Sequence, residues 1–442
     1  MNNFEFIEKF LALISSLLIL FNGVLIKKNK GSWLFPGALF SLFWFAFTFF
    51  PLIILFKIPI DIKSQLYILL AVILFSNSYR LIDYISFNKE EKKSNITNLE
   101  FLNKTFLMYT LTFFVLVSFI SLWYHLKVHN FKLDYFLDNP IEFAEEYSKL
   151  RYSLRLNTKF FIFLSFLGVY VSAVIGGLIY FFFPENKNKY YGFICFLPAL
   201  SVMFTQSAKG PFFLAVFLFL GAGFAYNLKE KNFILFKTKN ISLALKWGLL
   251  IMVLLVASFF SRGFSNLNKY EEMFNRMKYL FASYFLGHLY AFSDWFNSFL
   301  GFESINKYET NVNFYGFYTF NAITRYFNSK KEPMRGVYTE YFTNEDSFTS
   351  LLYTIFRGLV MDFGLIGSLL VFLLFGFFTH IINSYYVNNK YIPFTLTVMI
   401  FIFPIFYMSF MGSFFYWTVN IASFAILFVV LLINYRYVKK EV

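Results

Sequence analysis

The sequence predicts an all-α, polytopic membrane protein, and three observations carry that prediction. Hydrophobic residues make up 58% of the chain and charged residues only 14%. A mean hydropathy of +0.58 excludes an ordinary soluble domain. Apolar runs close to the length of about 20 residues that crosses a bilayer recur from end to end. Phenylalanine alone supplies 70 of 442 residues, and Lys, Asn, Ile and Tyr are abundant too. That is the bias of an AT-rich coding sequence, so no single Phe is given mechanistic weight.

The runs lie at 10–26, 33–56, 65–86, 105–125, 159–183, 190–206, 211–227, 242–260, 359–384, 391–410 and 413–434. They predict about eleven spans within a single integral membrane domain, 1–442. Basic connections at 27–30, 87–95, 187–189, 228–239 and 436–440 alternate with connections poor in Lys and Arg. The positive-inside rule then expects the N-terminus outside and the C-terminus in the cytoplasm. The first run lacks a basic leader and a small-residue cleavage site, so it reads as a retained span.

The net charge of +14 follows from those basic loops. With no basic arm or recognition module, no nucleic-acid partner is expected. Cys195 is the only cysteine and sits in an apolar run, which excludes a disulfide framework and a Cys-based metal site. No metal motif is visible, and neither a metal nor a cofactor is expected.

Two longer segments are expected on the outer face. The first, 126–158, contains "DNPIEFAEEYSKLRYSLRLN", with Asn139 as N-cap and Pro140 in the first helical position. Acids come early and bases late, matching the helix dipole. Phe143, Tyr147, Leu150 and Leu154 make an apolar stripe. These features predict an amphipathic helix on the membrane face. The second segment, 261–357, is the longest polar part and the expected catalytic loop. Its stretch 279–300 is long enough to be taken for a span, but a span there would place the basic tail outside. The stripe Ser283, Gly287, Ala291, Asp294 and Ser298 predicts an interfacial or re-entrant helix instead.

This loop holds ten Lys and Arg against nine Asp and Glu, so it is no generic cationic patch. Arg262, Arg276, Arg325, Arg335 and Arg357 lie in it or at its ends. Guanidinium groups suit bidentate contacts to phosphate. At a membrane surface that points to a lipid-linked phosphate or diphosphate; the plain alternative for each is a rim salt bridge or a headgroup contact. The turn "SAKGPF" (207–212) adds Lys209 and free amides at a helix start, a possible anion site or simply a tight turn. His288 is the loop's only histidine. It is a candidate general base, with Glu303, Glu309, Glu340 and Asp362 as alternatives and a structural histidine as the plain reading.

The segment "SLLYTIFRGLVMDFGLIGSLLVFLLFGFF" (350–378) resembles the bacterial O-antigen polymerases, the oligosaccharide repeat-unit polymerases. Tyr353-Thr354 precedes Asp362-Phe363-Gly364 and Gly367 at the opening of a span, and "SAKGPF" is similar to the family's basic glycine turn. The family commonly has arginine where this chain has Lys209. Arg276–Gly287 and Arg325–Gly336 match an arginine-to-glycine spacing found in some members.

The resemblance implies a GT-C-like architecture in the bacterial inner membrane. It implies glycosyl transfer between two undecaprenyl-diphosphate-linked oligosaccharides, donor and acceptor, with membrane lipid and a chain-length regulator protein as further partners. Lys209 and the five arginines would bind diphosphate. His288, Asp362 or Glu340 would take the acceptor proton, and Tyr315, Tyr318 and Tyr338 would stack on sugar. Asp362 would hold Arg357 or act as base, while Gly364 and Gly367 would let helices approach. O-antigen ligases share this layout, and a flippase of lipid-linked oligosaccharide is the alternative from another class.

Overall fold

The computed structural model describes residues 3–86, 102–152, 159–184, 187–206, 208–229, 270–301, 307–312, 315–325, 337–344 and 347–441, with positions 242, 246, 249, 253 and 256. It is a membrane-embedded, almost wholly helical protein. Among the described residues eight helices are long and apolar enough to cross a membrane. They correspond to eight of the runs read from sequence. The run 190–206 instead breaks into a 3-10 helix, Lys187–Cys195, and the short helix Phe196–Gln206. At about 1.5 Å per residue the latter alone does not reach across a bilayer. The run 391–410 forms the helix Ile392–Met408 with Pro404 inside it. The run 242–260 lies outside the described residues apart from isolated positions.

The chain divides into two units. One comprises residues 95–277, 391–404 and 419–442. Its helices Lys104–Val128, Lys159–Phe182 and Lys209–Lys229 approach closely where side chains are smallest. A Cβ on Gly168 would lie 2.7 Å from the Phe114 carbonyl oxygen, and one on Gly177 2.8 Å from Ala222. The Asn434 side chain accepts from the Asn103 N–H at 3.1 Å and donates to its carbonyl at 3.3 Å, which pins the last helix, Thr418–Glu441.

The expected amphipathic helix forms as Pro140–Tyr152. Its stripe does not lie open to lipid. Phe143 and Tyr147 are buried against Phe131, Tyr135 and Phe136, and Tyr147 Oη meets His125 Nε2 at 2.8 Å. The aromatics just upstream give the stripe a protein partner; Leu154 lies outside the described residues.

The other unit comprises residues 1–94, 278–390 and 405–418 and contains the region of interest. Helices Asn3–Lys30, Pro36–Ile54 and Ile62–Asn77 pack around rings of Phe40, Trp44, Phe75 and Phe356. The Ser16 and Thr48 hydroxyls bond across helices at 2.7 Å.

Lys9, two turns into the first helix, is fully buried and fully satisfied. It donates to the carbonyls of Leu55 (3.1 Å) and Ile58 (2.8 Å) and to the Tyr290 hydroxyl (2.6 Å). Those carbonyls follow the C-terminus of Pro36–Ile54, where the helix dipole favours a cation.

The stretch 279–300 is one rod of changing pitch: the helix Tyr270–Phe281, the π-turn Ala282–Leu286 and the helix Gly287–Phe299. The last of these is buried against protein. Tyr290 donates to the carbonyls of Pro51 (3.1 Å) and Leu55 (2.9 Å), and Ser293 accepts from the Asp61 N–H at 3.0 Å. Its N-terminal end meets a hairpin of β1 (Phe342–Asn344) and β2 (Phe348–Ser350). A Cβ on Gly287 would stand 2.7 Å from Phe348 and Ser350.

The helix Thr354–Val387 is two helices joined at Gly364, whose φ of 72° and ψ of 177° no L side chain adopts readily. Its first leg is buried from Thr354 to Asp362. The second leg is long enough, at about 35 Å, to cross a bilayer. Gly364 therefore serves conformation and not the helix approach expected of it: the nearest neighbour of a Cβ there is Val312 Cγ1 at 3.7 Å. A Cβ on Gly367 would meet only the neighbouring Phe363. The close approach on this helix is at Gly376, whose added Cβ would run into the Phe75 carbonyl oxygen.

Gly364→Ala should lower unfolding free energy by about 1–3 kcal/mol in spite of the room around it. Gly210→Ala, with nothing within 4 Å of the new methyl, should be nearly neutral. Denaturant titration of both variants in detergent checks this; equal stabilities would show that the kink is not set by glycine.

Candidate functional site

The first leg of the kinked helix carries Arg357, and the long loop folds around it. Arg357 is fully buried. Its guanidinium carbon lies 4.0 Å from the ring centre of Tyr338, 4.2 Å from Tyr353, 5.3 Å from Trp295 and 5.6 Å from Tyr308. Each such contact contributes about 0.5–2 kcal/mol. Nη2 stands 3.1 Å from Glu340 Oε1, an ion pair whose carboxylate side chain keeps 18% of its surface exposed. Nε, Nη1 and Nη2 are all buried without a hydrogen bond of good geometry, so the Nη2–Glu340 contact acts as an ion pair. Gly358, the next residue, leaves room for the rings: a Cβ there would be 3.2 Å from the Tyr338 hydroxyl and 3.4 Å from Tyr318 Cβ.

Each wall of this cage is tied down. The Trp295 indole donates to the Glu309 carbonyl at 3.1 Å. The Glu309 N–H donates to Glu340 Oε1 at 2.9 Å, and the Tyr353 hydroxyl donates to the Glu340 carbonyl at 3.0 Å. Tyr318 stacks on Tyr338, centroids 5.4 Å apart at 16°, and donates to Glu309 Oε2 at 2.7 Å. The Tyr308 hydroxyl bonds Asp294 Oδ2, which also holds Lys307 at 3.0 Å.

Asp362 does not pair with Arg357. Its carboxylate accepts the N–H groups of Tyr318 (3.0 Å) and Thr319 (2.6 Å) and so clamps the turn that carries Tyr318. That turn needs positive φ at Tyr315 (44°) and Gly316 (89°).

Electrostatics follow from these contacts. Burial pushes the Glu340 carboxyl up, but the Arg357 guanidinium and the Glu309 amide outweigh it and hold the group below its ordinary value. Burial pushes the phenols of Tyr308, Tyr318, Tyr338 and Tyr353 upward, so they stay neutral donors. His288 is sealed: it is fully buried, its Nε2 lies 2.9 Å from the Phe47 carbonyl, and burial lowers its pKa to about 4.

The remaining residues singled out from sequence lie on other elements. Arg325 is half-buried just after the short helix Asn321–Thr324. Arg276 is exposed on Tyr270–Phe281, and Lys209 is half-buried in the first position of its helix; both belong to the other unit. Arg262, Arg335 and Glu303 lie outside the described residues. Of the three tyrosines expected to stack on sugar, only Tyr315 offers an open ring, 82% exposed, while Tyr318 and Tyr338 spend their faces on each other and on Arg357.

Sequence reasoning missed Lys9, Trp295 and the structural weight of Glu309. A lysine placed just ahead of the first apolar run, within the same helical stretch, was a usable signal for the first. Among the described residues no cluster of His, Cys, Asp and Glu could hold a metal. No family model, curated protein or solved structure matches the chain.

His288 sets an acid limit on the fold. In the unfolded chain it takes a proton below pH 6.5 but when folded only near pH 4, so stability falls as pH drops through that window. The loss should total on the order of 3 kcal/mol. The Glu340 carboxyl, also held below its ordinary value, adds to the same trend in a lower window: its contribution is present above pH 4.5 and lost as pH falls below it. Unfolding titrations of His288→Gln across pH 4 to 7 should show a flattened slope; an unchanged slope would assign the loss to another group.

Proposed function

We propose that this protein polymerises oligosaccharide repeat units by glycosyl transfer between two undecaprenyl-diphosphate-linked substrates. In this reading it is an eleven-span, GT-C-like enzyme of the bacterial inner membrane with its N-terminus outside and its long loop in the periplasm. One observation supports it above the rest: an aromatic-walled, carboxylate-bearing site is built where the polar loop meets a kinked, bilayer-length helix. A lipid-borne substrate presents its reacting group at that depth. In the reaction a sugar hydroxyl attacks the donor's anomeric carbon and the lipid diphosphate leaves. Cations placed for the charge that develops on the diphosphate stabilise the transition state more than the ground state.

Lys209, Arg262, Arg276, Arg325 and Arg335 are the basic groups proposed for the diphosphate. Arg357 is fully buried, with the rings of Tyr338 and Tyr353 against its guanidinium, which leaves it poorly placed for that task. Tyr315 is the open face for a sugar ring. A chain-length regulator is the protein partner this activity would use.

A second reading, a flippase of lipid-linked oligosaccharide, draws on the broken helix at Gly364 and its buried charges, since discontinuous helices line many transport sites. A ligase that passes the glycan to lipid A–core shares the donor chemistry.

Deleting the gene and staining lipopolysaccharide on a gel separates these readings. Core bearing a single repeat unit, with the ladder gone, is the polymerase outcome. Core without any repeat points to the ligase or the flippase, and an unchanged ladder overturns the assignment for that glycan. In the complemented strain, alanine at Arg262, Arg276 or Arg325 should cut polymer formation on the order of 100-fold for at least one site. Normal polymer from all three would end the diphosphate-clamp idea.

A further inference from the structure

We propose that Glu340 is the carboxylate that takes the acceptor hydroxyl's proton, and that Arg357 is its positioning residue rather than a ligand of substrate phosphate. The inference rests on the glycosyl-transfer reading above and specifies that site. Arg357 has no exposed surface, and rings of Tyr338 and Tyr353 lie about its guanidinium at 4.0 and 4.2 Å. A phosphate has no open edge to reach.

What Arg357 does reach is Glu340. Its Nη2 and the Glu309 N–H, 3.1 and 2.9 Å away, both engage Oε1. The carboxylate also takes a hydrogen bond from its own backbone N–H, and its side chain keeps 18% of its surface open to an incoming proton donor.

The other carboxylates have partners of a different kind. Asp362 is buried with both oxygens on backbone N–H groups. Asp294 Oδ2 holds Tyr308 and Lys307, and Glu309 Oε2 holds Tyr318. His288 is sealed among apolar rings and the Phe47 carbonyl.

The charged and titratable groups around Glu340 are Arg357 on the kinked helix, Glu309 and Tyr308 on the segment after the Gly287–Phe299 helix, Tyr338 and Tyr353 beside it, and Asp294, Tyr318 and Asp362 beyond. Arg357 is the cation among them, and it keeps Glu340 ionised against its burial.

In the step itself the acceptor O–H bond breaks and its proton goes to the Glu340 carboxylate. The acceptor oxygen forms a bond to the donor's anomeric carbon. The bond from that carbon to the diphosphate oxygen breaks, and the electron pair leaves with the lipid diphosphate. The proton then passes to solvent.

The test uses the full chain in lipid nanodiscs, with a synthetic polyprenyl-diphosphate oligosaccharide as donor and acceptor. Glu340→Gln keeps the shape of the side chain and should lose about 100-fold or more in kcat with KM little changed. Arg357→Lys should stay active, but the acid limb of its kcat profile should move to higher pH, because Glu340 loses its close guanidinium. A merely structural arginine would not move that limb.

Turnover by Glu340→Gln close to that of the unsubstituted protein overturns the assignment of the base. An unmoved limb in Arg357→Lys overturns the positioning role. If Glu340→Gln does not fold, the double variant Glu340→Gln, Arg357→Gln carries the test, and polymer made by it overturns the proposal. No polymer from the unsubstituted protein would instead sink the glycosyl-transfer reading, and this inference with it.

Discussion

A guanidinium with no exposed surface is the constraint around which this unit is arranged. Taking an ion out of water costs several kcal/mol even after relaxation, and four ring contacts of about 0.5–2 kcal/mol each offset that only in part. The Glu340 carboxylate at 3.1 Å tips the balance. The compensation is assembled from distant parts of the chain: Trp295 from the buried helix, Tyr308 from the segment after it, Tyr338 and Glu340 from the approach to the hairpin, and Tyr353 from the helix entry. Each must arrive for the charge to be tolerated, so Arg357 makes the loop and the helix entry fold together.

The residues that follow Arg357 extend the same logic. "MDFG" is not one device but two. Asp362 clamps the turn that carries Tyr318, and Tyr318 supports Tyr338 over the guanidinium. Gly364 then turns the chain from a fully buried leg into a bilayer-length one. An L residue there would hold the same turn only under backbone strain. Lys9 acts from the opposite side. By binding the Leu55 and Ile58 carbonyls together with Tyr290, it fixes the helix that holds Trp295.

Helix length and apolarity were legible in the sequence because backbone hydrogen bonding in lipid leaves a long apolar run almost no other form. The same reasoning fails at 190–206. Composition there is indifferent to whether the backbone winds as a 3-10 or an α-helix, and the change of pitch after Cys195 costs nothing that hydropathy records. The helix at 140–152 was legible from its cap and stripe, but its burial partner was not, since Phe131 and Tyr135 stand outside its period. Arg357 and Asp362 were visible as charges at a span entry. Their partners were not: Glu340 lies 17 positions before Arg357, beyond any helical spacing, and Asp362 meets main-chain amides, which every residue has. Lys9 was the signal left unread.

Four carboxylates of similar intrinsic acidity lie in or beside this cage, and their environments differentiate them. Asp362 is fixed by amides, Asp294 by a phenol and a solvent-exposed lysine, and Glu309 by a phenol. Glu340 alone among them is held by a fully buried cation. A surface lysine is screened by water and salt and gives its partner little preference for charge. A fully buried guanidinium is little screened and does not deprotonate, so Glu340 beside it stays ionised at neutral pH. The cost of burying Arg357 is thus inseparable from the state of Glu340: the arrangement that makes the arginine tolerable also keeps a partly exposed carboxylate charged and fixed in direction.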